Sequence, residues 1–210
     1  MNFLWIKTNR FIKYIFSNYV WNIPNVEKKV YLTFDDGPVP GITDFVLNEL
    51  AKREMKATFF MVGANVEKHP NLAKEVLQAG NGIGNHTFNH LDGYRNPDSL
   101  YLENIEKCQK ILQDTLDVSP VNFRPPYGKI SKTQSKLVLA HHQIVMWDVL
   151  SGDYDQDQSA EKCRSKTIQY SRNGSIVLFH DQQKTERVVK KVLPDYLDFI
   201  IDKGFQTGLL

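Results

Sequence analysis

Two adjacent acidic residues, Asp35 and Asp36, stand where an apolar run of the sequence meets a turn signal. Residues 30–34 have the β-branched and aromatic character of a buried strand, and Gly37-Pro38 favours a turn. Neighbouring side chains of a strand point to opposite faces, so both carboxylates share a pocket only where the strand ends. Two close carboxylates repel each other unless a cation binds one of them, which leaves the other free as a base. An isolated Asp-Asp-Gly is more commonly a polar turn, so the prediction of a cation site depends on further ligands.

Two histidines four residues apart, His86 and His90, supply such ligands. They follow a short strand predicted over residues 81–85, and this spacing brings two imidazoles to one side of a helical turn. A His-x-x-x-His pair by itself is more commonly a pair of solvated histidines. Together with Asp36, the pair offers two nitrogens and one oxygen, which leaves positions open for water and substrate as in catalytic zinc sites. The same ligand set also fits non-haem iron, so both metals remain open at this point.

Two further polar clusters also follow apolar runs of the sequence. Arg-Pro-Pro-Tyr-Gly at residues 124–128 predicts a rigid loop, because its prolines fix φ while Gly128 releases the chain. Such a loop can hold the Arg124 guanidinium and backbone N–H groups in place. His180 ends the apolar run 176–179 and suits a general acid or base near neutral pH. Each cluster alone is also typical of a plain turn or a sheet-edge histidine, but four clusters at four predicted strand ends indicate one shared site.

In this order, the four segments resemble the motifs of the polysaccharide deacetylases, the NodB-homology enzymes of carbohydrate esterase family 4. The matching segments are Thr-Phe-Asp-Asp-Gly-Pro from residue 33, His-Thr-Phe-Asn-His from residue 86, Arg-Pro-Pro-Tyr-Gly from residue 124 and Leu-Phe-His-Asp from residue 178. The resemblance extends over about residues 28–208. It implies a single-domain, irregular (β/α)7-type barrel and a hydrolase that removes N-linked acetyl, or other small acyl, groups from an amino sugar or polysaccharide.

The same resemblance implies one divalent metal ion, with zinc favoured and other divalent ions open. The corresponding metal ligands are Asp36, His86 and His90. Asp35 corresponds to the general base, which Arg124 orients. His180 corresponds to the general acid, and Asp153 to the carboxylate that holds it. Because the base and the acid need opposite protonation states at one pH, a bell-shaped pH dependence is expected.

The resemblance also implies a substrate and oxyanion site made by Tyr127, Leu178, Pro126 and Tyr154. The backbone N–H of Tyr127 corresponds to an oxyanion donor, and Leu178 lines the pocket for the acyl methyl group. The fourth motif of the family, Asp-x-x-Asp-Trp, is altered here: Leu150 replaces the first acid and Tyr154 replaces the tryptophan, whereas Asp153 is kept. We expect this difference to change the substrate groove rather than the chemistry.

Hydrophobic periodicity predicts seven strands that alternate with six helices, which indicates a parallel α/β arrangement. The strands are expected near residues 30–34, 57–61, 81–85, 121–124, 143–147, 175–179 and 204–208. The helices are expected near residues 43–54, 70–79, 99–113, 131–140, 159–171 and 186–203. The motif residues all fall at the carboxyl ends of predicted strands, where α/β barrels carry their active sites. On pattern alone, a doubly wound open sheet also fits.

Length and composition favour a single domain, and the resemblance implies a catalytic domain over residues 28–210, preceded by a separate segment over residues 1–27. The chain has 210 residues, of which 41% are hydrophobic, and a net charge of +2 with no basic block, which argues against nucleic-acid binding. Cys108 and Cys163 stand outside any Cys-x-x-Cys pattern and are predicted to be buried free thiols.

The N-terminal segment is predicted to form an amphipathic helix over residues 8–20 that packs against the barrel and covers one end. Its apolar face would consist of Phe11, Ile12, Ile15, Phe16, Tyr19 and Val20. The alternative is that residues 1–24 make a peripheral contact with an anionic membrane. Neither a membrane-spanning stretch nor a signal-peptide pattern is recognised, so a cytoplasmic location is expected.

Rival functions keep part of the same site. A deacylase of a lipid-linked amino sugar, or of another non-peptide amide, would use the same chemistry on a different substrate. A degenerate carbohydrate-binding module would have lost the chemistry, although both acids, both histidines and Arg124 are retained. An iron oxygenase would use the three metal ligands but leaves Asp35 and His180 without a task. Neither the particular glycan nor the oligomeric state follows from the sequence.

Overall fold

Eight strands of the computed structural model form one sheet, in which the strands pair in parallel. The structure describes residues 7–24 and 26–210. Within these residues the strands are β1 (Lys29–Asp35), β2 (Thr58–Met61), β3 (Gly82–Asn85), β4 (Asn122–Phe123), β5 (Gln143–Ile144), β6 (Val149–Leu150), β7 (Ile176–His180) and β8 (Gln206–Thr207). Seven of them were predicted. The sequence analysis missed β6, because this strand of two residues shows no period of its own.

The strand order distinguishes the two predicted architectures. Across the sheet the order is β5-β4-β3-β2-β1-β7-β6, with β8 paired to β1 beside this path. Followed around a circle, the strands come in the order of the chain, with one opening between β5 and β6. A doubly wound sheet instead reverses its strand order at a switch point. The sheet is therefore a curled, incomplete barrel, and the open-sheet alternative is wrong.

Eight helices accompany the sheet in the described part of the chain. They are α1 (Arg10–Ile15), α2 (Ile42–Ala51), α3 (Gly63–Lys68), α4 (Pro70–Gln78), α5 (Asp98–Leu116), α6 (Lys132–Val138), α7 (Ala160–Tyr170) and α8 (Glu186–Asp202). The six helices predicted within the barrel are all present. The sequence analysis missed α3, because a helix of six residues is too short to show a helical apolar stripe. Short 3₁₀ turns lie at Gly93–Arg95, Pro126–Gly128 and Gln183–Thr185.

The central strand β1 shows how the fold positions the site. Its alternate residues Leu32 and Phe34 point outward, into the main core between sheet and helices, where the Phe34 ring stacks on that of Phe59 with centroids 5.2 Å apart. Tyr31 points inward and packs in the barrel interior. Because side chains alternate along a strand, Asp35 at the end of β1 lies on the same inward face as Tyr31. The first acid is thus directed into the barrel by the strand period.

The segment before β1 connects the two edge strands of the sheet. The backbone N–H of Val20 donates to the carbonyl of Ile144 in β5 at 2.9 Å. The backbone N–H of Thr8 donates to the carbonyl of Asp148, just before β6, at 2.9 Å. Trp21 is buried in the cluster beside β4 and β5. The segment therefore lies across the opening between β5 and β6.

Helix α1 itself differs from the sequence prediction. It ends at Ile15 rather than near residue 20, and none of its residues is buried. Phe11 and Ile15, which were expected to face the barrel, are 67% and 54% exposed. The chain then turns and pairs with β5, which explains why the helix is short. In the described residues, no helix is long and apolar enough to cross a membrane.

The two cysteines lie in separate helices, and both are free and buried, as predicted. Burial raises the pKa of each thiol, Cys108 and Cys163, to about 12. At neutral pH they are uncharged core side chains without the thiolate that reactive cysteines need.

Candidate active site

Three predicted metal ligands converge at the carboxyl ends of β1 and β3. Asp36 follows β1 with a φ of 83°, which turns its side chain towards the pocket instead of away from it. Its Oδ1 lies 3.0 Å from Nε2 of His90 and 3.5 Å from Nε2 of His86. The three ligand atoms are all within 4.8 Å of one another. The distances permit all three side chains to hold one ion.

The burial and the ionisation of Asp36 favour a bound cation. Its Oδ1 is buried and accepts no hydrogen bond, although a buried carboxylate oxygen is normally satisfied. Burial by itself opposes ionisation, but the nearby imidazoles of His86 and His90 outweigh it and hold the pKa of the Asp36 carboxyl well below its usual range. One oxygen of an ionised carboxylate therefore faces two ring nitrogens, a donor set that suits zinc and other borderline divalent ions.

His86 and His90 do not lie on a helical turn, in contrast to the sequence prediction. They belong to an irregular loop in which His90 has a φ of 55°. The loop is anchored from α5, because Oδ1 of Asn104 accepts the backbone N–H groups of both Phe88 (2.8 Å) and Asn89 (2.9 Å). This anchor brings the two imidazole centroids to 5.0 Å.

The ring of His86 is oriented by the Arg-Pro-Pro-Tyr-Gly loop. Its Nδ1 lies 2.7 Å from the carbonyl oxygen of Arg124, which can only accept a hydrogen bond. Nδ1 therefore carries the proton, and the lone pair of Nε2 is free to bind a metal. Metal-binding histidines are commonly oriented by such a contact at the second nitrogen.

One carboxylate oxygen of Asp35 is hydrogen-bonded to Arg124, and the other faces the metal ligands. Its Oδ1 accepts a hydrogen bond of 2.7 Å from Nη1 of Arg124, and its Oδ2 lies 3.8 Å from Nε2 of His86, on the side of the metal ligands. Arg124 is fully buried and donates further hydrogen bonds to Thr33 Oγ1 (2.8 Å) and to the carbonyls of Val145 and Met146 (3.1 and 2.9 Å). The guanidinium thus fixes the orientation of Asp35.

His180 and the buried Asp153 form a second ion pair across the pocket. Nδ1 of His180 lies 2.7 Å from Oδ1 of Asp153, which is fully buried. Burial alone lowers the pKa of His180, but the charge of Asp153 and this hydrogen bond outweigh it and raise the pKa to about 9. His180 is also the register partner of Asp35, because β7 lies directly beside β1.

Asp181 supports the turn that carries Asp36. Its Oδ1 accepts the backbone N–H of Gly37 at 3.1 Å, and its Oδ2 accepts the hydroxyl of Thr43 at 2.6 Å. A Cβ atom at Gly37 would stand 2.0 Å from Oδ2 of Asp181, so this approach requires glycine. Burial raises the pKa of Asp181 to about 8. Its position beside His180 in the fourth matching segment was the available sequence signal.

Gln182 is a site residue that the sequence analysis missed. Its Nε2 donates to Oδ2 of Asp36, which leaves Oδ1 of that carboxylate to face His86 and His90. The tripeptide 180–182, at the carboxyl end of β7, therefore contributes His180, the supporting Asp181 and this contact. Its position directly after the Leu-Phe-His-Asp segment indicated that Gln182 lies near the site, but it did not indicate the contact with Asp36.

The three predicted metal ligands line a cavity of about 290 Å³ together with Asp35, His180 and Gln182. The ring of Tyr127 stands edge-on to that of His90 (centroids 4.6 Å apart), and the ring of Tyr154 edge-on to that of His180 (5.3 Å). Leu178 also lines the cavity. Further lining residues that the sequence analysis did not single out are Pro125, Lys129, Trp147, Gln182 and Lys184.

One residue of the predicted substrate site does not line the cavity. Pro126 is buried within the 3₁₀ turn and does not line the cavity, whereas its neighbour Pro125 does. Tyr127 follows with a φ of 59°, which sends its side chain outward, where it is 60% exposed. Leu150 also lines the cavity at the position of the altered fourth motif.

A second cavity of about 300 Å³ adjoins the first. It shares Asp36, His90, Tyr127, Gln182 and Lys184 with the first cavity and extends to Val62 and Asn65. The two spaces together form a groove that passes the metal ligands and opens to solvent. The loop after β3 contributes His90 to the first cavity, and the loop after β6 contributes Tyr154.

Comparison with known proteins identifies the family. The family model described as "Polysaccharide deacetylase" matches residues 22–145. The chain belongs to the polysaccharide deacetylase family. The deacetylase is 35% identical over 181 residues to a peptidoglycan-N-acetylglucosamine deacetylase of Bacillus cereus (strain ATCC 14579), covering 83% of this chain and 84% of that protein. It is 30% identical over 191 residues to the peptidoglycan-N-acetylmuramic acid deacetylase PdaC of Bacillus subtilis (strain 168), covering 87% of this chain but 38% of PdaC.

A solved structure resembles the deacetylase over almost its whole length. The crystal structure of the Bc1960 peptidoglycan N-acetylglucosamine deacetylase, in complex with 4-naphthalen-1-yl-N-oxidanyl-benzamide, has a TM-score of 0.89 and 30% sequence identity. The match covers 97% of this chain and 95% of that one. The predicted family, enzyme class and barrel fold are thereby confirmed.

Proposed function

We propose that the chain hydrolyses the N-acetyl groups of an acetylated glycan, releasing acetate and leaving a free amine on the sugar. The observation that supports this proposal is the arrangement of one pocket. It combines a three-ligand cation site with Asp35, which is held at one oxygen, and with His180, which is held by Asp153. These are the parts needed to activate water and to protonate a poor leaving group.

Asp36, His86 and His90 would hold a single divalent ion, and their two nitrogens and one oxygen favour zinc. When bound there, such an ion lowers the pKa of water and polarises an acyl oxygen. Three protein ligands leave coordination positions open, in contrast to the closed set of a structural zinc site.

Asp35 would act as the general base through Oδ2. Its other oxygen is occupied by Arg124, so the carboxylate cannot rotate without losing a buried charge-assisted hydrogen bond. Oδ2 is directed to the side of the metal ligands, where the attacking water would lie. The base accepts the proton of that water as the new bond to the acyl carbon forms.

His180 would act as the general acid through Nε2. Nδ1 is held by Asp153, and a pKa of about 9 keeps the imidazolium populated at neutral pH. An amine leaves poorly unless it is protonated, and His180 supplies that proton as the carbon–nitrogen bond breaks. The backbone N–H of Tyr127 would stabilise the oxyanion, a type of donor worth about 2.7–4 kcal/mol. Leu178 would contact the acetyl methyl group.

The glycan of peptidoglycan is the substrate class that we favour. The B. cereus relative is named for deacetylation of peptidoglycan N-acetylglucosamine, and PdaC for deacetylation of N-acetylmuramic acid. A polymeric substrate needs a site that is open at both sides of the reacting sugar. The two adjoining cavities offer such a groove along the metal ligands.

The test is acetate release by the purified protein, first stripped with a chelator and then reloaded with Zn²⁺. We expect release from peptidoglycan or chitooligosaccharides by the reloaded protein and none by the stripped protein. A protein that binds Zn²⁺ in equal amount but releases no acetate from either substrate would be a degenerate binding module, which would refute the proposal. Activity confined to a lipid-linked amino sugar would refute the glycan assignment but keep the chemistry.

A further inference from the structure

Helix α1 exposes its apolar face to solvent. Phe11, Tyr14 and Ile15 are 67%, 80% and 54% exposed. Residues three and four positions apart lie on one face of a helix, so these three side chains form a continuous patch. Surface helices of globular proteins normally direct such a face towards the core. The apolar face of α1 is therefore directed away from the core, which is the reverse of the usual orientation.

A cation holds the helix in this reversed orientation. Lys13 points inward, and its Nζ donates to Oδ1 of Asp148 and, at 3.4 Å, to Oδ1 of Asn22. Asp148 is fully buried, so its charge needs a partner. Because Lys13 occupies the inner side of α1, Phe11 and Tyr14 must lie on the outer side.

Further cations lie around α1 and few acids oppose them. Nζ of Lys7 and Nζ of Lys166 each lie 5.8 Å from the ring centroid of Tyr170. Arg172 is bound to the same Asp148 as Lys13, at 3.3 Å, with its side chain 53% exposed. The sequence adds Arg10 and contains no aspartate or glutamate before Glu27. Asp148 can neutralise only one of these five cations (Lys7, Arg10, Lys13, Lys166 and Arg172), so the surface around α1 remains positive.

We propose that α1 binds an anionic lipid surface. The three apolar side chains would enter the boundary between head groups and acyl chains, while Lys7 and Arg10 contact lipid phosphates. A patch of three side chains is small for a protein partner, since stable protein interfaces use about 20–30 residues on each side. Interfacial lipid binding instead adds a small apolar insertion to electrostatic attraction.

The experiment measures co-sedimentation of the full chain with vesicles of phosphatidylglycerol and phosphatidylcholine in equal parts, and with phosphatidylcholine alone. The parent protein should bind the anionic vesicles, bind neutral vesicles weakly, and lose binding at high salt, which screens surface charges. The combined change Phe11→Ser, Tyr14→Ser and Ile15→Ser should lower the partition coefficient about tenfold or more for each side chain that inserts. Because Val20 and Trp21 belong to the fold, point changes are preferable to truncation.

A matched control replaces three exposed apolar residues elsewhere. The change Leu100→Ser, Val121→Ser and Ile201→Ser removes side chains that are 45%, 63% and 52% exposed and should leave vesicle binding unchanged. A second variant, Lys7→Gln with Arg10→Gln, should reduce binding to anionic vesicles about fivefold per charge. All variants should keep the parental melting temperature, because none of these side chains is in the core.

Three outcomes would overturn the proposal. In the first, the α1 serine variant sediments with anionic vesicles as well as the parent does. In the second, the parent binds neutral and anionic vesicles equally. In the third outcome, the parent self-associates without lipid and the serine variant does not, which would make the patch a contact between copies of this chain. Acetate release is not used as a readout, so failure here is separate from failure of the proposed function.

Discussion

Both carboxylate oxygens of Asp153 contact His180. Oδ1 lies 2.7 Å from the ring nitrogen Nδ1, and Oδ2 accepts the backbone N–H of His180, also at 2.7 Å. The two contacts fix the ring relative to its own backbone and leave Nε2 towards the cavity that His180 lines. Although the fourth motif is altered, the acid that holds this histidine is present and fully buried.

We expect Asp153→Asn to shift the alkaline limit of activity. The general acid works in its protonated form, which is lost as pH rises through its pKa of about 9. Without the charge of Asp153, burial lowers this pKa, so the alkaline limb of kcat/KM should move towards neutral pH and activity at neutral pH should fall about a hundredfold. The check is a pH–rate profile, with the exposed Asp157→Asn as control. A parental profile that shows no loss of activity as pH rises past about 9 would contradict the role of His180.

Replacing each of the two adjacent acids should have a different effect in a metal-binding assay. Asp36→Ala removes a ligand and should abolish tight Zn²⁺ binding together with activity. Asp35→Asn keeps the three ligands, so it should retain Zn²⁺ while turnover falls by about 10²–10⁴-fold. The check is to measure metal content after dialysis and acetate release on the same samples. Unchanged turnover in Asp35→Asn would remove its assignment as the base.

Gln182→Met should weaken metal binding, because methionine has similar size but cannot donate to Oδ2 of Asp36. Loss of a contact that orients a metal ligand typically costs about 10–100-fold in affinity. The neighbouring Gln183→Met is the matched control, since Gln183 is exposed and donates to Glu186 away from the site. The dissociation constant for Zn²⁺ is measured by competition with a chelator. Equal constants in the two variants would show that Gln182 does not orient Asp36.

Arg124→Met should destabilise the fold as well as the site. The substitution leaves the buried Asp35 carboxylate without its cation and removes the donors to Thr33 and two carbonyls. Breaking a buried pair in this way costs about 3–5 kcal/mol in the free energy of unfolding. For comparison, Arg95→Met removes a guanidinium whose side chain is 81% exposed and should cost at most about 1 kcal/mol. Urea unfolding of the metal-free proteins measures both, and similar losses would contradict a structural role of Arg124.

The sequence by itself determined which residues meet at the site. Asp35, His86, Arg124 and His180 each stand at or just beyond the end of a strand whose sequence signal is local, so each strand end could be found from its own segment. In a parallel sheet all carboxyl ends lie at one edge, and the four segments therefore converge without any knowledge of long-range contacts. The inward direction of Asp35 likewise follows from the strand period.

The tertiary structure decided how these residues are held. The anchor of the His86 loop is Asn104, and the partner of Asp36 is Gln182, 146 positions further along the chain. Neither contact leaves a periodic signal, because a hydrogen bond between distant segments depends on how whole elements pack. The barrel could be recognised only from the strand order, because alternating strands and helices are compatible with a barrel and with an open sheet equally.

The orientation of α1 shows the physical reason most clearly. Its apolar residues recur with a helical period, which predicts that they face the core. The buried carboxylate of Asp148 lies 135 residues away from Lys13 in sequence, and it also contacts Arg172 at 3.3 Å. Lys13 fills the inner side of this six-residue helix to reach that carboxylate, and the apolar side chains are left on the outer side. A local pattern records apolar spacing, whereas the partner of a charge is set by the fold.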